Sequence, residues 1–269
     1  SLGCPFKCTF CCINAPFDSN SFRYWEPEFT ALQIHQLVHK WGIKNLKIAD
    51  EMFVLREDHF LSLCHLLVEM KHDLNIWAYA RVDTVKPKYL DVLKKAGVNW
   101  LALGIESGSK HVRDGVAKGR FGEKEIVGIV KQIQDAGINV IGNYIFGLPD
   151  DTLETMRETY QLAELLNCEM ANFYCAMAYP GSKLYDLAMK NGTELPTSWL
   201  GYSQHAYETH PLPTEALSSA QVLAFRDMAF KAYFERPAYL NMIQGKFGTE
   251  TRAHIVEMSK QKLKRKLLE

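Results

Sequence analysis

The chain has 269 residues, 31 of them Lys or Arg and 31 Asp or Glu, so its formal net charge is zero; 47% are hydrophobic and 23% charged. That composition belongs to a globular chain with a sizeable core and argues against disorder. Balanced charge gives no electrostatic footing for nucleic acid or an anionic membrane as the main partner, and no apolar run reaches the roughly 18 residues that a membrane span needs.

No secretory signal opens the sequence. Ser1-Leu2-Gly3-Cys4 reads instead as the end of a strand in a trimmed chain. Cys4, Cys8, Cys11 and Cys12 crowd the start, while Cys64, Cys168 and Cys175 are scattered. An odd cysteine count without a leader disfavours an extracellular disulfide framework and fits a reducing, cytoplasmic location. The spacing Cys4-x3-Cys8-x2-Cys11 lets three thiolates curl around one soft metal centre. A [4Fe–4S] cluster normally takes four protein ligands, so three would leave one iron open for a small molecule. Cys12 adjoins Cys11, points elsewhere and reads as a packing residue. A zinc site is the competing reading, because C-x2-C is common in structural zinc sites, although no second such pair accompanies it. Spacing alone leaves both open. Cys168 and Cys175 lie among apolar residues and read as ordinary buried cysteines.

Three phrases then repeat one pattern, in which a helix stops at a glycine and a short apolar strand follows. They are Trp41-Gly42-Ile43, Ala96-Gly97-Val98 and Ala136-Gly137-Ile138. Glycine takes the left-handed conformation that ends helices. Helical spacing is present at Ile34, Leu37, Val38 and Trp41, at Phe60, Leu63, Cys64 and Leu67, and at Ile126, Ile129, Val130 and Ile133. Asp151-x-x-Glu154 resembles a capping box, opening a helix with Leu153, Met156, Tyr160 and Ala163 on one face. Strands are predicted over 45–49, 74–79, 100–104, 139–146 and 171–178, and residues 1–3 would be the stub of a sixth. Such β/α alternation predicts parallel strands joined by right-handed crossovers.

Ligand sites of such sheets lie at the carboxyl ends of the strands. There the sequence places the cysteine loop, Asp50 and Glu51, Arg81 and Asp83, Glu106 and Ser107, Gly147-Leu148-Pro149, and Tyr179-Pro180-Gly181-Ser182. Taken singly, the acidic residues could equally be N-caps of the next helices. Their joint placement with the cysteines favours binding.

At this point the chain resembles the radical S-adenosylmethionine (SAM) superfamily. The resemblance rests on Cys4-x3-Cys8-x-Phe10-Cys11 after a first strand and on the β/α phrases up to Tyr179-Pro180-Gly181-Ser182, most of residues 1–190. It implies an α/β fold, a partial (β/α)6 TIM-like barrel with a C-terminal helical extension. It implies that Cys4, Cys8 and Cys11 hold a [4Fe–4S] cluster whose fourth iron is chelated by SAM. One electron then cleaves the sulfonium bond, and the 5′-deoxyadenosyl radical abstracts a substrate hydrogen. By the same resemblance Phe10 packs near the adenine. Glu51, with Asp50 an equal geometric candidate, grips the methionine amino group, although the usual glycines are replaced by Ile48 and Ala49. Glu106 and Ser107 bond the ribose hydroxyls or the methionine part. Ile141, Gly142 and Asn143 support the adenine, Met177 completes its pocket, and Arg81 pairs with the SAM carboxylate. These polarities suit a ligand carrying an ammonium, a carboxylate and two hydroxyls. No catalytic residue beyond these is identifiable.

The wording of Cys11-Cys12-Ile13-Asn14, Ile48-Ala49-Asp50-Glu51-Met52-Phe53, Asn143-Tyr144-Ile145-Phe146-Gly147-Leu148-Pro149 and Ala178-Tyr179-Pro180-Gly181-Ser182 is most similar to members with an N-terminal cobalamin-binding domain. That group includes methyltransferases of unactivated carbon or phosphorus and ring-forming enzymes similar to the anaerobic magnesium-protoporphyrin cyclase. Such a domain would lie upstream of Ser1. The resemblance implies a small-molecule substrate and a flavodoxin- or ferredoxin-type reductant. Methylthiotransferases are the competing subgroup, and a non-catalytic iron–sulfur or zinc module is the competing class.

The β/α rhythm stops near residue 192, so residues 1–198 read as the core and 199–269 as a loop and helical extension. In the loop, Tyr202, His205, Tyr207 and His210 are candidates for substrate contact, each better read as hydrogen-bonded packing, with Trp199 and Tyr202 as packing anchors. Val222, Phe225, Ala229, Tyr233 and Phe234 mark one helix, and Pro237 a break before the next. The basic run 260–266 reads as a solvated helix end. His35, His39, His59, His65 and His72 read as surface or packing residues.

Overall fold

All three repeated phrases do end on left-handed glycines: φ is +64° at Gly42, +93° at Gly97 and +74° at Gly137 in the computed structural model, which describes residues 1–17, 19–119 and 121–269. The strands are β1 (Asn45–Lys47), β2 (Asn75–Arg81), β3 (Val98–Glu106), β4 (Asn139–Phe146) and β5 (Met170–Cys175). They run parallel in a single sheet in chain order. The helices are α1 (Pro27–Trp41), α2 (Glu57–Met70), α3 (Pro87–Lys95), α4 (Lys110–Gly115), α5 (Glu123–Asp135), α6 (Leu153–Leu166), α7 (Lys183–Lys190), α8 (Ser219–Glu235) and α9 (Pro237–Ser259), the last interrupted at Gly248. This is the expected α/β class, a partial TIM-like barrel succession with C-terminal helices. No helix among the described residues is long and apolar enough to cross a membrane.

Two compact units make up the chain: residues 1–6, 16–105 and 121–142, and residues 7–15, 106–120 and 143–269. In the first, α1 packs on α2, α2 on α3 and α3 on α5. Phe60, Leu63, Cys64 and Leu67 of α2 are buried as their spacing requires, and the Phe60 ring meets Tyr89 edge-on at 5.1 Å. The stripe on α1 is only partly used. Ala31 and Ile34 are buried, whereas Leu37 and Trp41 stay exposed, because α2 covers only part of the apolar face. Residues 1–3 also depart from expectation. Leu2 forms an isolated antiparallel bridge with Arg23 instead of a sixth parallel strand.

In the second unit an aromatic core joins sheet to helices. Tyr144 and Phe146 of β4 stack on Phe173 of β5, which meets Tyr233 of α8; Phe225 packs edge-on against Phe146. Each ring so buried contributes about 1.5–3 kcal/mol. Two tyrosine hydroxyls of α8 and α9 are used as well: Tyr233 donates to the Cys168 carbonyl at 2.8 Å and Tyr239 to the Glu169 carbonyl at 3.0 Å. Gln204 continues the β5 edge, its amide pairing with both the N–H and the C=O of Cys175 at 2.9 Å. The basic tail is solvated at Lys260, Lys262, Lys264 and Lys266, but not at Arg265. Arg265 is buried, donating to Asp227, to Thr209 and to the carbonyls of Gln204 and Ala206. Burial opposes the charge on Asp227, but hydrogen bonds from Arg265 and Arg226 outweigh it and lower the carboxyl pKa. Trp199 is 77% exposed, touching Tyr202 at a ring-centroid distance of 5.8 Å, while Tyr202 is buried as expected.

The turn after β4 depends on Asp151, which is not the helix cap its sequence position suggested. Thr152 caps α6, accepting from the Thr155 N–H. Asp151 is 2% exposed; one of its oxygens takes the N–H groups of Gly147 and Leu148 at 2.9 and 3.0 Å, and the other takes the Thr155 hydroxyl at 2.7 Å. Gly147 must be glycine twice over, since its φ is +79° and a Cβ would lie 2.5 Å from Val222. Burial pushes the Asp151 carboxyl up to about 6, more than its three donors pull it down. The folded protein therefore holds this proton more tightly than the unfolded chain. Stability is greatest below the ordinary Asp value and falls as pH rises through about 6, by up to about 3 kcal/mol from this one group. Urea unfolding from pH 4 to 7 should show that decline, and Asp151→Asn should flatten it.

Candidate functional site

The cysteine loop is held in the second unit by its even-tempered neighbours, Thr9 and Phe10. Thr9 donates its N–H to the Val116 carbonyl at 3.1 Å and accepts from the Leu184 N–H at 3.0 Å. The Phe10 ring packs against a buried cluster of Val112, Val116, Leu148 and Ala176, beside Ile145. With that residue pair fixed inward, Cys8 and Cys11 flank it on a turn closed by the Cys11 N–H and the Cys8 carbonyl at 3.1 Å. Cys11 is exposed and Cys8 half-buried, its Sγ 3.6 Å from the Ala117 carbonyl. By contrast Cys64, Cys168 and Cys175 are buried, and burial pushes each of their thiols up to about 12, which keeps them protonated and inert. The loop cysteines are accessible thiols on a tethered turn, and none of the seven is in a disulfide. That donor set fits an iron–sulfur cluster.

Residues 106–118 provide the platform on which the loop rests. Glu106 ends β3 with φ +65°, a left-handed backbone uncommon for a side chain of this size. Its carboxylate is buried and pairs with the equally buried Lys118 ammonium at 2.6 Å. This pair closes a segment containing α4 and the two carbonyls, of Val116 and Ala117, that face the cysteine loop. Ser107 is fully buried; its Oγ lies 3.1 Å from Thr159 Oγ1 and accepts the Ser109 N–H at 3.1 Å. Gly108 donates its N–H to the same Thr159 hydroxyl at 2.9 Å, and the Arg113 guanidinium caps the Ser107 and Gly108 carbonyls. Ser107 thus fastens the segment to α6. The sequence reading missed Lys118 and Thr159. A lysine set among small residues, in Gly115-Val116-Ala117-Lys118-Gly119, was the available signal.

In the first unit Asp50 and Glu51 are brought to the segment that leads into Cys4. Asp50 accepts from the Ser1 hydroxyl, and Glu51 accepts the Gly3 N–H at 3.1 Å. Cys4 itself is half-buried. Arg81 is 4% exposed and forms a fork with Asp83, two bonds of 2.8 Å, while the Phe6 ring lies 3.7 Å from its guanidinium carbon. Its planar face and one edge are therefore already engaged. Ile141 and Gly142 lie buried on β4.

Asn143 belongs to the second unit, where it accepts from the Asn172 amide at 2.9 Å. Alternation along β4 puts Asn143 and Ile145 on the face opposite Tyr144 and Phe146, the face that also carries the Phe10 cluster. Asn172, unnoticed in the sequence, joins that face from β5. Met177 follows β5 and is 2% exposed, next to Ala176, whose N–H reaches the Phe146 carbonyl at 2.8 Å. Of the loop candidates, Tyr202 packs by Tyr179, His210 donates its N–H to the Gly201 carbonyl, Tyr207 donates to Glu269, and His205 is exposed.

Comparison with known proteins adds to this geometry. The family profile described as "Radical SAM superfamily" matches residues 1–163. The chain is 27% identical over 241 residues to an uncharacterized methyltransferase of Pyrococcus horikoshii, covering 89% of this chain and 51% of that protein. It is 26% identical over 248 residues to the anaerobic magnesium-protoporphyrin IX monomethyl ester cyclase of Rubrivivax gelatinosus, covering 88% and 42%. It thus spans about half the length of these relatives. The radical S-adenosylmethionine methyltransferase TsrM of Kitasatospora setae, solved with cobalamin and a [4Fe–4S] cluster, shares the fold with a TM-score of 0.64 at 20% identity, over 72% of this chain and 37% of that one.

The Glu106–Lys118 pair makes a direct prediction. Lys118→Met leaves a buried carboxylate without its cation and should lower stability by about 3–5 kcal/mol in urea unfolding. Adding Glu106→Gln should restore much of the loss. A single variant within about 1 kcal/mol of wild type would show that the pair does not hold the segment.

Proposed function

Because this chain belongs to the radical SAM superfamily, we propose that it is the catalytic core of an enzyme in which Cys4, Cys8 and Cys11 ligate a [4Fe–4S] cluster with SAM on the fourth iron. When bound, that pair supplies one-electron cleavage of the sulfonium and a carbon radical for hydrogen abstraction. One observation supports the reading above all: a turn tethered through Thr9 and Phe10 that leaves Cys11 exposed and Cys8 half-buried.

The roles of the chain's own residues follow from their surroundings. Thr9 and Phe10 fix the ligand turn, so little ordering is left to be done on cluster binding. Asp50 and Glu51 orient the backbone ahead of Cys4 and keep negative charge there for the SAM ammonium. Glu106, oriented by Lys118, offers the ribose hydroxyls or the ammonium an acceptor. Arg81, fixed by Asp83, stands at the end of β2 to pair with the SAM carboxylate. Ile141, Gly142, Asn143 and Met177 line the adenine side. The apolar cluster at Phe10 keeps water from its side of the ligand turn. Residues 1–198 form this core and 199–269 its extension.

The relatives' names direct the reaction class: a cobalamin-dependent methyl transfer or a cyclisation on a small molecule, with cobalamin carried by a further domain. A flavodoxin- or ferredoxin-type protein would supply the electron. The accessible thiols suit a cytoplasmic, reducing setting.

Oxygen-free reconstitution with iron and sulfide should give about four irons per chain and a reducible cluster. SAM should then change its spin-resonance spectrum and, with dithionite, yield 5′-deoxyadenosine or S-adenosylhomocysteine. Cys8→Ser and Cys11→Ser should lose the cluster and both products. Full cluster content and turnover in Cys8→Ser would overturn the assignment.

A further inference from the structure

Helix α1 carries two histidines one turn apart, His35 and His39, and residues so spaced share a helix face. The end of α2, which packs on α1, brings a third. Lys71 ends α2 in a left-handed conformation, φ +52°, and the chain reverses so that His72 returns to α1. One ring nitrogen from each of the three lies within 4.8 Å of the others. The imidazoles stand 4.1, 5.1 and 5.4 Å apart by their centroids.

Two features distinguish this group from incidental neighbours. His35 Nδ1 faces His72 Nε2 at 3.1 Å. A zinc ion with bonds of 2.0–2.1 Å holds its tetrahedral nitrogens about 3.3 Å apart, so that edge of a coordination polyhedron is already built. The third ring is close as well, the His39 and His35 centroids lying 4.1 Å apart. His39 is exposed and can turn about its side-chain bonds to complete the triangle.

We propose that His35, His39 and His72 bind a zinc-class divalent transition-metal ion that clamps the carboxyl half of α1 to the reversal after α2. Imidazole ligands suit zinc and its first-row neighbours rather than magnesium or calcium. Three protein ligands leave the fourth position to water. Binding replaces the His35–His72 hydrogen bond: the proton of the donor ring moves to that ring's other nitrogen, and three nitrogen–metal bonds form with no change of oxidation state. The inference extends beyond the proposed reaction and uses none of the residues assigned to the cluster or to SAM.

The test is titration of the whole chain with zinc alone, without oxygen, in the wild type, His39→Ala, His72→Ala and Cys8→Ser. His39 is exposed, so His39→Ala should fold normally. One zinc should bind in the wild type and in Cys8→Ser, and bind tenfold or more weakly in each histidine variant. Zinc should raise the melting temperature of the wild type and not that of His39→Ala. Cobalt in the same site should give a ligand-field spectrum without thiolate charge-transfer bands. The inference is overturned if no zinc binds, if uptake survives both histidine substitutions, or if Cys8→Ser abolishes all of it.

Discussion

Much of the second unit depends on one buried ion pair. Glu106 and Lys118 meet where neither can be hydrated, so each is tolerable only because the other is present. Their contact closes the segment that carries Val112, Val116 and Ala117, and those residues receive Phe10, Thr9 and Cys8. The accessible sulfurs of Cys8 and Cys11 are thus the outer end of a chain of constraints that begins with two charges twelve residues apart. The left-handed backbone at Glu106 belongs to the same device. A residue held in such a conformation persists only where its surroundings over-determine it.

The turn after β4 repeats this logic. Asp151 gathers two backbone N–H groups and one hydroxyl, which sets Leu148 into the cluster under Phe10. It does so although burial disfavours its charge. Both devices place an acidic residue where it costs stability and fixes geometry. That exchange fixes the arrangement of the cysteine loop. The C-terminal region closes in similar fashion, with Arg265 and Arg226 sharing Asp227 and with Gln204 standing in for a strand partner of β5.

The chain belongs to a superfamily whose members in the comparisons include both methyltransferases and cyclases. The Asn143–Asn172 pair joins β4 to β5 through their side-chain amides. A reactive carbon centre is best surrounded by groups that neither donate hydrogen atoms nor admit water.

Local signals told the sequence reader a good deal. Cys4-x3-Cys8-x-Phe10-Cys11, the three glycines at positive φ and the period of α2 are short-range patterns, and short-range sterics enforce them wherever they occur. The order of the strands followed from the same alternation. What the sequence could not disclose were pairings between distant residues and the depth at which each was buried. Nothing near Lys118 marks it as the partner of Glu106, and nothing near His72 says that it returns to His35. Arg265 looked like part of a solvated tail because its neighbours are basic, yet packing against Asp227 decided its fate. Trp199 looked like an anchor because it is large and apolar, yet it stays 77% exposed. The backbone's own geometry sets the first kind of fact, whereas the second exists only once remote segments have excluded water from between them.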